Sequence, residues 1–224
     1  MIFITGDTHI PVDVSKLGTK RFPEQKRLTK KDYLIICGDF GGVWDGGNED
    51  RYWQKWLDQK KFTTLFVDGN HENFDLLEKF PVTTFHGGKA RKISDSIYHL
   101  IRGEVYEIGG KRIFTLGGAS SHDKQYRTEG KNWWRQELPS KAELEAARAK
   151  LDSVGWDVDY VITHCAPTTV QYAIADGYKT DKLTDFLADV SSRLTFKKWY
   201  FGHYHIDREI SEKYRAIYND IIKL

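Results

Sequence analysis

Short apolar runs, each closed by a glycine or an acidic residue, recur along this chain. Ile2 to Thr5, Tyr33 to Cys37 and Thr64 to Val67 are rich in β-branched and aromatic side chains and read as buried strands. Between them the period changes. Asn48 to about Gln59 places Tyr52, Trp53, Trp56 and Leu57 on one helical face, with Asn48 as the expected cap. Asn73 to Phe80 repeats the pattern through Phe74, Leu76, Leu77 and Phe80, and Pro81 stops it. Strand, loop, helix, strand is the signature of βαβ units.

The middle of the chain reads differently. Tyr98 to Ile101, Glu104 to Ile108 and Arg112 to Leu116 are strand-like, and Gly109-Gly110 between the last two signals a hairpin. Ser140 and Glu143 form a capping-box pattern ahead of a helix that runs to about Ser153. Tyr160 to Thr163 returns to buried strand, Asp181 to Leu194 to amphipathic helix, and Trp199 to Phe201 to strand. Ile210 and Tyr214 to Ile222 are expected to close the chain as hairpin-like strands. No repeat, low-complexity stretch or linker interrupts the chain, so residues 1–224 are expected to form a single domain. Strands this numerous suit two stacked mixed sheets with helices outside.

The punctuation carries the chemistry. Gly6-Asp7-Thr8-His9, Gly38-Asp39, Gly69-Asn70-His71-Glu72, Thr163-His164 and Gly202-His203-Tyr204-His205 each follow an apolar run. Singly they are weak: a Gly-Asp pair is usually a turn, and a lone strand histidine usually belongs to the core. Jointly they bring carboxylate, amide and imidazole groups to the carboxyl ends of five expected strands, where open α/β sheets bind ligands. Asp7 and His9 are two residues apart and share a face on extended backbone, as do His203 and His205.

This ordered set resembles the calcineurin-like metallophosphoesterase superfamily, over residues 6 to 205. The resemblance implies an α/β fold, a four-layer αββα sandwich of two mixed β-sheets flanked by helices, around a dinuclear metal centre. It implies that Asp7, His9 and His205 hold one ion, that Asn70, His164 and His203 hold the other, and that Asp39 bridges them. It implies a catalytic role for His71, with Glu72 as its acidic partner. Many members carry a second aspartate three residues after the bridging one, often followed by arginine. Here the segment is Asp39-Phe40-Gly41-Gly42-Val43-Trp44, so Gly42 takes that place and no arginine follows. That departure weakens any link to the Ser/Thr protein phosphatase branch and leaves the metal-binding set intact. Asp45 is a weak candidate to replace the missing carboxylate.

The residue chemistry agrees. Two carboxylates, one amide and four imidazoles, without a thiolate, suit two divalent ions such as manganese, iron or zinc. With a bridging hydroxide the first shell keeps about +1, which favours an anionic phosphate ester, and ions about 3.5–4 Å apart would supply hydroxide near neutral pH. His71 then serves as proton donor to the leaving group.

Composition narrows the partners. Net charge is +2, from 34 basic and 32 acidic residues, which gives no electrostatic case for long nucleic acid or a membrane surface. The two cysteines, Cys37 and Cys165, lie in apolar runs and read as buried thiols. The first ten residues already hold two expected ligands, so they read as mature chain, and the default location is the cytoplasm. The stretch from Gly117 to Glu137 is long, polar and loop-like yet carries Trp133 and Trp134. As a wall of the site it would offer His122, Lys124, Arg127 or Arg135 to phosphate and Trp133 or Trp134 to a ring; equally, the tryptophans would anchor the loop and the charges stay solvated. The expected activity is metal-dependent hydrolysis of a phosphate mono- or diester, with a small phosphate ester or nucleotide as substrate. A nuclease with a local basic groove and a non-catalytic metal-site scaffold for protein binding are the alternatives.

Overall fold

The computed structural model describes all residues, 1–224. Thirteen strands form two mixed sheets. The first contains β1 (Ile2–Thr5), β2 (Tyr33–Ile36), β3 (Thr63–Phe66), β4 (Val82–Phe85), β5 (Gly88–Lys92), β6 (Ile97–Leu100) and, from the far end of the chain, β13 (Ile221–Lys223). The second contains β7 (Glu104–Ile108), β8 (Lys111–Leu116), β9 (Tyr160–Thr163), β10 (Lys198–Phe201), β11 (Arg208–Glu209) and β12 (Tyr214–Ala216). Strand orders are β13-β1-β2-β3-β6-β5-β4 and β11-β12-β10-β9-β8-β7.

The alternation of side chains along each strand explains the layers. Ile2, Ile4, Ile35, Cys37, Leu65 and Val67 point to one face of the first sheet and meet Tyr106, Ile113, Ile162 and Tyr200 of the second in a core between the sheets. Their neighbours Phe3, Leu34, Ile36 and Phe66 point outward, under Leu57 of α1 (Asn48–Asp58) and Leu77 of α2 (Phe74–Leu77). On the second sheet Phe114, Leu116, Val161, Trp199 and Phe201 point outward, under α3 (Lys141–Ser153), α4 (Thr168–Ile174) and α5 (Lys182–Arg193). Three apolar layers between four structural layers make the αββα sandwich expected from the sequence. Both faces of the central strands are covered, so these strands read as continuous apolar runs rather than alternating ones.

Local signals set the helix ends. Ser140 accepts from the Glu143 amide at 3.2 Å while Glu143 accepts from the Ser140 amide at 2.7 Å, the reciprocal cap expected from the spacing. Asp181 caps α5 in the same way, through the Leu183 and Thr184 amides. Two expectations shift. Asn48 is the first residue of α1 rather than its cap, and Asn73 caps only a single short helix, accepting from Leu76 at 3.1 Å.

The structure also differs from the sequence reading at two edges. The expected closing hairpin is only partly present: β11 and β12 pair antiparallel across Ile210 and Tyr214, and β12 also lies parallel to β10, but β13 crosses to the first sheet and pairs antiparallel with β1, Ile222 opposite Ile4. The hairpin β4–β5 escaped the reading because both strands are short and half exposed at a sheet edge, β5 is rich in lysine and arginine, and its turn is His86-Gly87. Both turn residues take positive φ, 47° and 85°, the geometry that two-residue hairpins require.

Trp199 is fully buried on the outer face of the second sheet and donates its indole N–H to Thr163 Oγ1 at 2.8 Å. Trp199→Ala removes the ring and the donor to the Thr163 hydroxyl, which keeps only its own bond to the Cys165 carbonyl, so the variant should lose about 3–5 kcal/mol of stability. Urea denaturation checks this; a midpoint within a few tenths molar of wild type would contradict the packing described.

Candidate metal centre

Strands β1, β2 and β3 run parallel side by side in the first sheet, and β9 and β10 run parallel in the second. Their carboxyl ends meet at one edge of the sandwich. Asp7 and His9 follow β1, Asp39 follows β2, Asn70 and His71 follow β3, His164 follows β9, and His203 and His205 follow β10. Of the six non-glycine residues with positive φ, four are here: His9 (34°), Asp39 (45°), His203 (66°) and His205 (50°). Backbone strain of this kind persists only where the surroundings impose it, and it marks functional sites more often than ordinary turns. Two glycines are required by close approach. A Cβ at Gly69 would overlap the Asp39 carboxylate, and one at Gly202 would overlap that of Asp7.

One group of side chains comprises Asp7, His9, Asp39 and His205, whose donor atoms all lie within 4.8 Å of one another. His9 Nε2 is 3.2 Å from Asp39 Oδ2, and His205 Nε2 is 3.2 Å from Asp7 Oδ2. His9 Nδ1 is oriented by Asp13 at 2.8 Å. A second group adjoins the first. His164 Nε2 is 3.3 Å from Asp39 Oδ1 and 3.2 Å from Asn70 Oδ1. Its Nδ1 donates to the Cys37 carbonyl at 2.8 Å, which fixes the ring and turns Nε2 inward. His203 lies edge-on to His164, ring centres 5.0 Å apart. Asp39 therefore presents one carboxylate oxygen to each group.

Electrostatics follow from burial. Asp7 and Asp39 are 0% and 1% exposed, and their ion pairs are with imidazoles alone. Burial by itself would raise the Asp39 pKa, but His164 and His9 reverse this and hold it well below the usual carboxylate range. Burial likewise opposes charge on His9, yet Asp39, Asp7 and Asp13 raise it to about 9. His164 reaches about 10 for the same reason, with Asp39 and then Asp7 overcoming burial. His203 goes the other way: burial and the adjacent His164 charge lower it to about 4. Anionic oxygens that draw protons onto their imidazoles are a site built for cations. The all-nitrogen-and-oxygen donor set fits divalent ions of the manganese, iron or zinc type.

His71 is half-buried at the mouth, its ring edge-on to His9 at 5.4 Å, and its amide donates to Asp39 Oδ1 at 2.8 Å. Burial lowers its pKa, Arg127 and the neighbouring imidazoles add to this, and Asp39 opposes them. Glu72 is not its partner. The carboxylate turns away and accepts from the Phe40 amide at 2.7 Å and the Gly41 amide at 3.4 Å, bracing the loop that carries Asp39. Those amides have no strand partner, so an acceptor from the next loop satisfies them.

The residues expected on the 117–137 loop divide. Arg127 lies close enough for its charge to act on His71, and it pairs with Asp123 at 2.9 Å. Trp133 is half-buried. His122 and Lys124 are exposed, and Arg135 points to solvent, paired with Glu129 at 2.5 Å. Trp134 is the anchor, 3% exposed, donating to Asp75 at 2.9 Å. The loop reaches the centre through Ser121, whose hydroxyl accepts from Asn70 Nδ2 at 3.3 Å and so aims Asn70 Oδ1 at His164. Asp45 does not supply a replacement carboxylate: it accepts from the Gly47 amide at 2.6 Å in its own turn. Sequence reasoning missed Asp13, Ser121 and Lys16. The last is fully buried, its ammonium donating to the Asp7 and Tyr218 carbonyls at 2.5 Å each.

The sequence model for calcineurin-like phosphoesterases matches residues 1–207. The chain belongs to the calcineurin-like phosphoesterase family. This phosphoesterase-family chain is also 30% identical to lariat debranching enzyme A of Xenopus laevis over 120 residues, 47% of this chain and 21% of that protein. A crystallised Staphylococcus aureus protein, described as a candidate 5′-nucleotidase in complex with α-ketoglutarate, aligns with 97% of this chain and 48% of its own at 17% identity and a TM-score of 0.49. The chain thus spans about a fifth of the curated relative and about half of the crystallised one. No helix is long and apolar enough to cross a membrane.

Glu137 is the buried group behind Ser121, accepting from its amide at 3.0 Å, and burial raises its pKa from 4.5 to about 7 against the opposing pull of Ser121 and Arg127. A raised acid stabilises the fold fully below its unfolded pKa and loses that contribution as pH rises through the folded one. Wild-type stability relative to Glu137→Gln should therefore fall between about pH 4.5 and pH 8. Urea midpoints of both proteins across that range check the sign; a difference that grows with pH would contradict it.

Proposed function

We propose that this chain hydrolyses a phosphate ester at a centre of two divalent ions held by seven side chains. Asp7, His9 and His205 would hold one ion, Asn70, His164 and His203 the other, and Asp39 both. What carries the reading is Asp39: its two oxygens face two separate groups of donors, 3.2 Å from His9 and 3.3 Å from His164. Bound there, divalent ions would polarise the phosphoryl oxygens and activate a water for attack on phosphorus.

The chain's own groups do the rest. His164 is locked by the Cys37 carbonyl and His9 by Asp13, so neither imidazole needs to reorganise. Asn70 presents its oxygen because Ser121 holds its nitrogen. His71 stands at the mouth beside His9, in place to give a proton or a hydrogen bond to the departing alcohol. Its lowered pKa favours the neutral ring near pH 7, so it acts as a hydrogen-bond donor there rather than as an imidazolium. Arg127, whose charge acts on His71, offers a positive charge on that side which the segment after Asp39 lacks. The family supports ester hydrolysis; the substrate is taken to be a small phosphate ester or nucleotide.

Purified protein with manganese, iron or zinc should hydrolyse p-nitrophenyl phosphate or its bis-ester, and a chelator should abolish turnover. Asp39→Asn should lower kcat/KM about a hundredfold or more while circular dichroism stays unchanged. His71→Ala should lower kcat by about 10²–10⁴-fold with two metals per chain retained. Chelator-insensitive turnover or an unaffected Asp39→Asn variant would remove the proposed centre, and metal loss in His71→Ala would make His71 a ligand.

A further inference from the structure

Beside the candidate centre opens a cleft of about 600 Å³ whose inner end is formed by His9, His71 and His205. None of the contacts expected on the 117–137 loop lines it. Its walls are aromatic: Trp44, Trp53 and Tyr218 all line it. Each ring is backed by another. Trp44 meets the buried Trp134 edge-on at 5.8 Å, Trp53 meets Trp56 edge-on at 5.5 Å, and Tyr218 stacks on His205 at 4.7 Å with planes 15° apart. Rings held this way cost little conformational entropy when a flat group slides between them.

The charge along the walls has one sign. Asp13, Asp45 and Glu49 line the cleft, and no lysine or arginine does. Asp13 is matched by His9 at 2.8 Å. Glu49 has no ion pair, and Asp45 is engaged only by the Gly47 amide. Arg127, whose charge acts on His71, comes from the loop and is not part of these walls. A phosphoryl group at the ions would thus find positive charge on the loop side, while the other end of the molecule would meet rings and carboxylates.

We propose that this cleft receives the alcohol portion of the ester and selects a flat aromatic alcohol that carries no further negative charge. The substrate is then an aryl or nucleoside-type ester with a single phosphoryl group, and polyphosphates and polynucleotides are turned away at Asp45 and Glu49. The hydroxyl and amino donors of a nucleoside would be matched by those same carboxylates. This proposal rests on the hydrolytic reading given above, since it takes the imidazole end of the cleft as the place where phosphorus sits.

The test uses the metal-loaded full chain and matched ligands. Rates are compared for phenyl phosphate, 4-(aminomethyl)phenyl phosphate and 4-carboxyphenyl phosphate, and for adenosine monophosphate against adenosine diphosphate. Binding of phenylphosphonate, 4-carboxyphenylphosphonate and methylphosphonate is read by tryptophan fluorescence. The carboxylated ester and the diphosphate should be poorer by about tenfold, and Asp45→Asn/Glu49→Gln should narrow both gaps to about twofold. Trp53→Leu should weaken phenylphosphonate about tenfold more than methylphosphonate. A preference confined to the adenosine pair would assign the cleft to nucleosides, and one confined to the phenyl series to simple aryl esters. Equal rates across the charge series, unmoved by the double variant, would overturn the proposal. Absence of turnover on every ester would instead overturn the hydrolytic reading, and the phosphonate titrations would then still decide for or against the cleft: charge-blind binding that ignores Trp53 would end it.

Discussion

Two carboxylates stand out of water where two sheets meet, and the rest of the architecture answers to that burden. An unmatched buried anion costs several kcal/mol. Here Asp7 is met by the His203 amide and by the His164 and His205 rings, and Asp39 by the His71 amide and the His9 and His164 rings. Meeting them requires loops from both sheets to converge within a few ångströms. The left-handed backbone at four of the donor residues and the glycines packed against both carboxylates are what that convergence demands.

Much of this was legible in the sequence because the central strands are short, apolar and buried on both faces. Their ends were therefore visible as the place where apolar character stops, and the donor residues follow at once. What stayed hidden is what depends on partners far along the chain. The β4–β5 hairpin lies at a sheet edge, where its short strands are half exposed and only β5 carries charge, and His86-Gly87 is not a familiar turn pair. The destination of β13 depends on an open edge at β1 rather than on anything in Ile221–Lys223. Glu72 illustrates the same limit. Adjacency to His71 suggested a partnership, but the carboxylate answers to two unsatisfied amides in another loop.

Substrate contacts were the least legible. The paired tryptophans at 133 and 134 drew the reading toward the 117–137 loop, yet Trp134 spends its indole on Asp75 and its face on Trp44. The loop's tie to the centre runs through small polar groups, with Glu137 holding Ser121 and Ser121 holding Asn70. Arg102 binds the base of this loop, through the Gln136 carbonyl at 2.6 Å, to Asp68 just ahead of Gly69. The aromatic wall that faces the cleft comes from the first sheet's helix and turn and from Tyr218, between β12 and β13; Trp53 read as an ordinary core position at helical spacing.

The pairing of β13 with β1 brings residues 221–223 beside the strand that leads to Asp7, and Tyr218, just before β13, lies against His205. Contacts of such sequence separation form late, because the intervening chain must be brought together before they reward it. The edge of β1 that faces away from β2 therefore stays bare until residues 221–223 pair with it. Release of β13 alone would bare that edge and withdraw the ring that backs the outermost imidazole, so a few residues tie the sheet margin to the candidate centre.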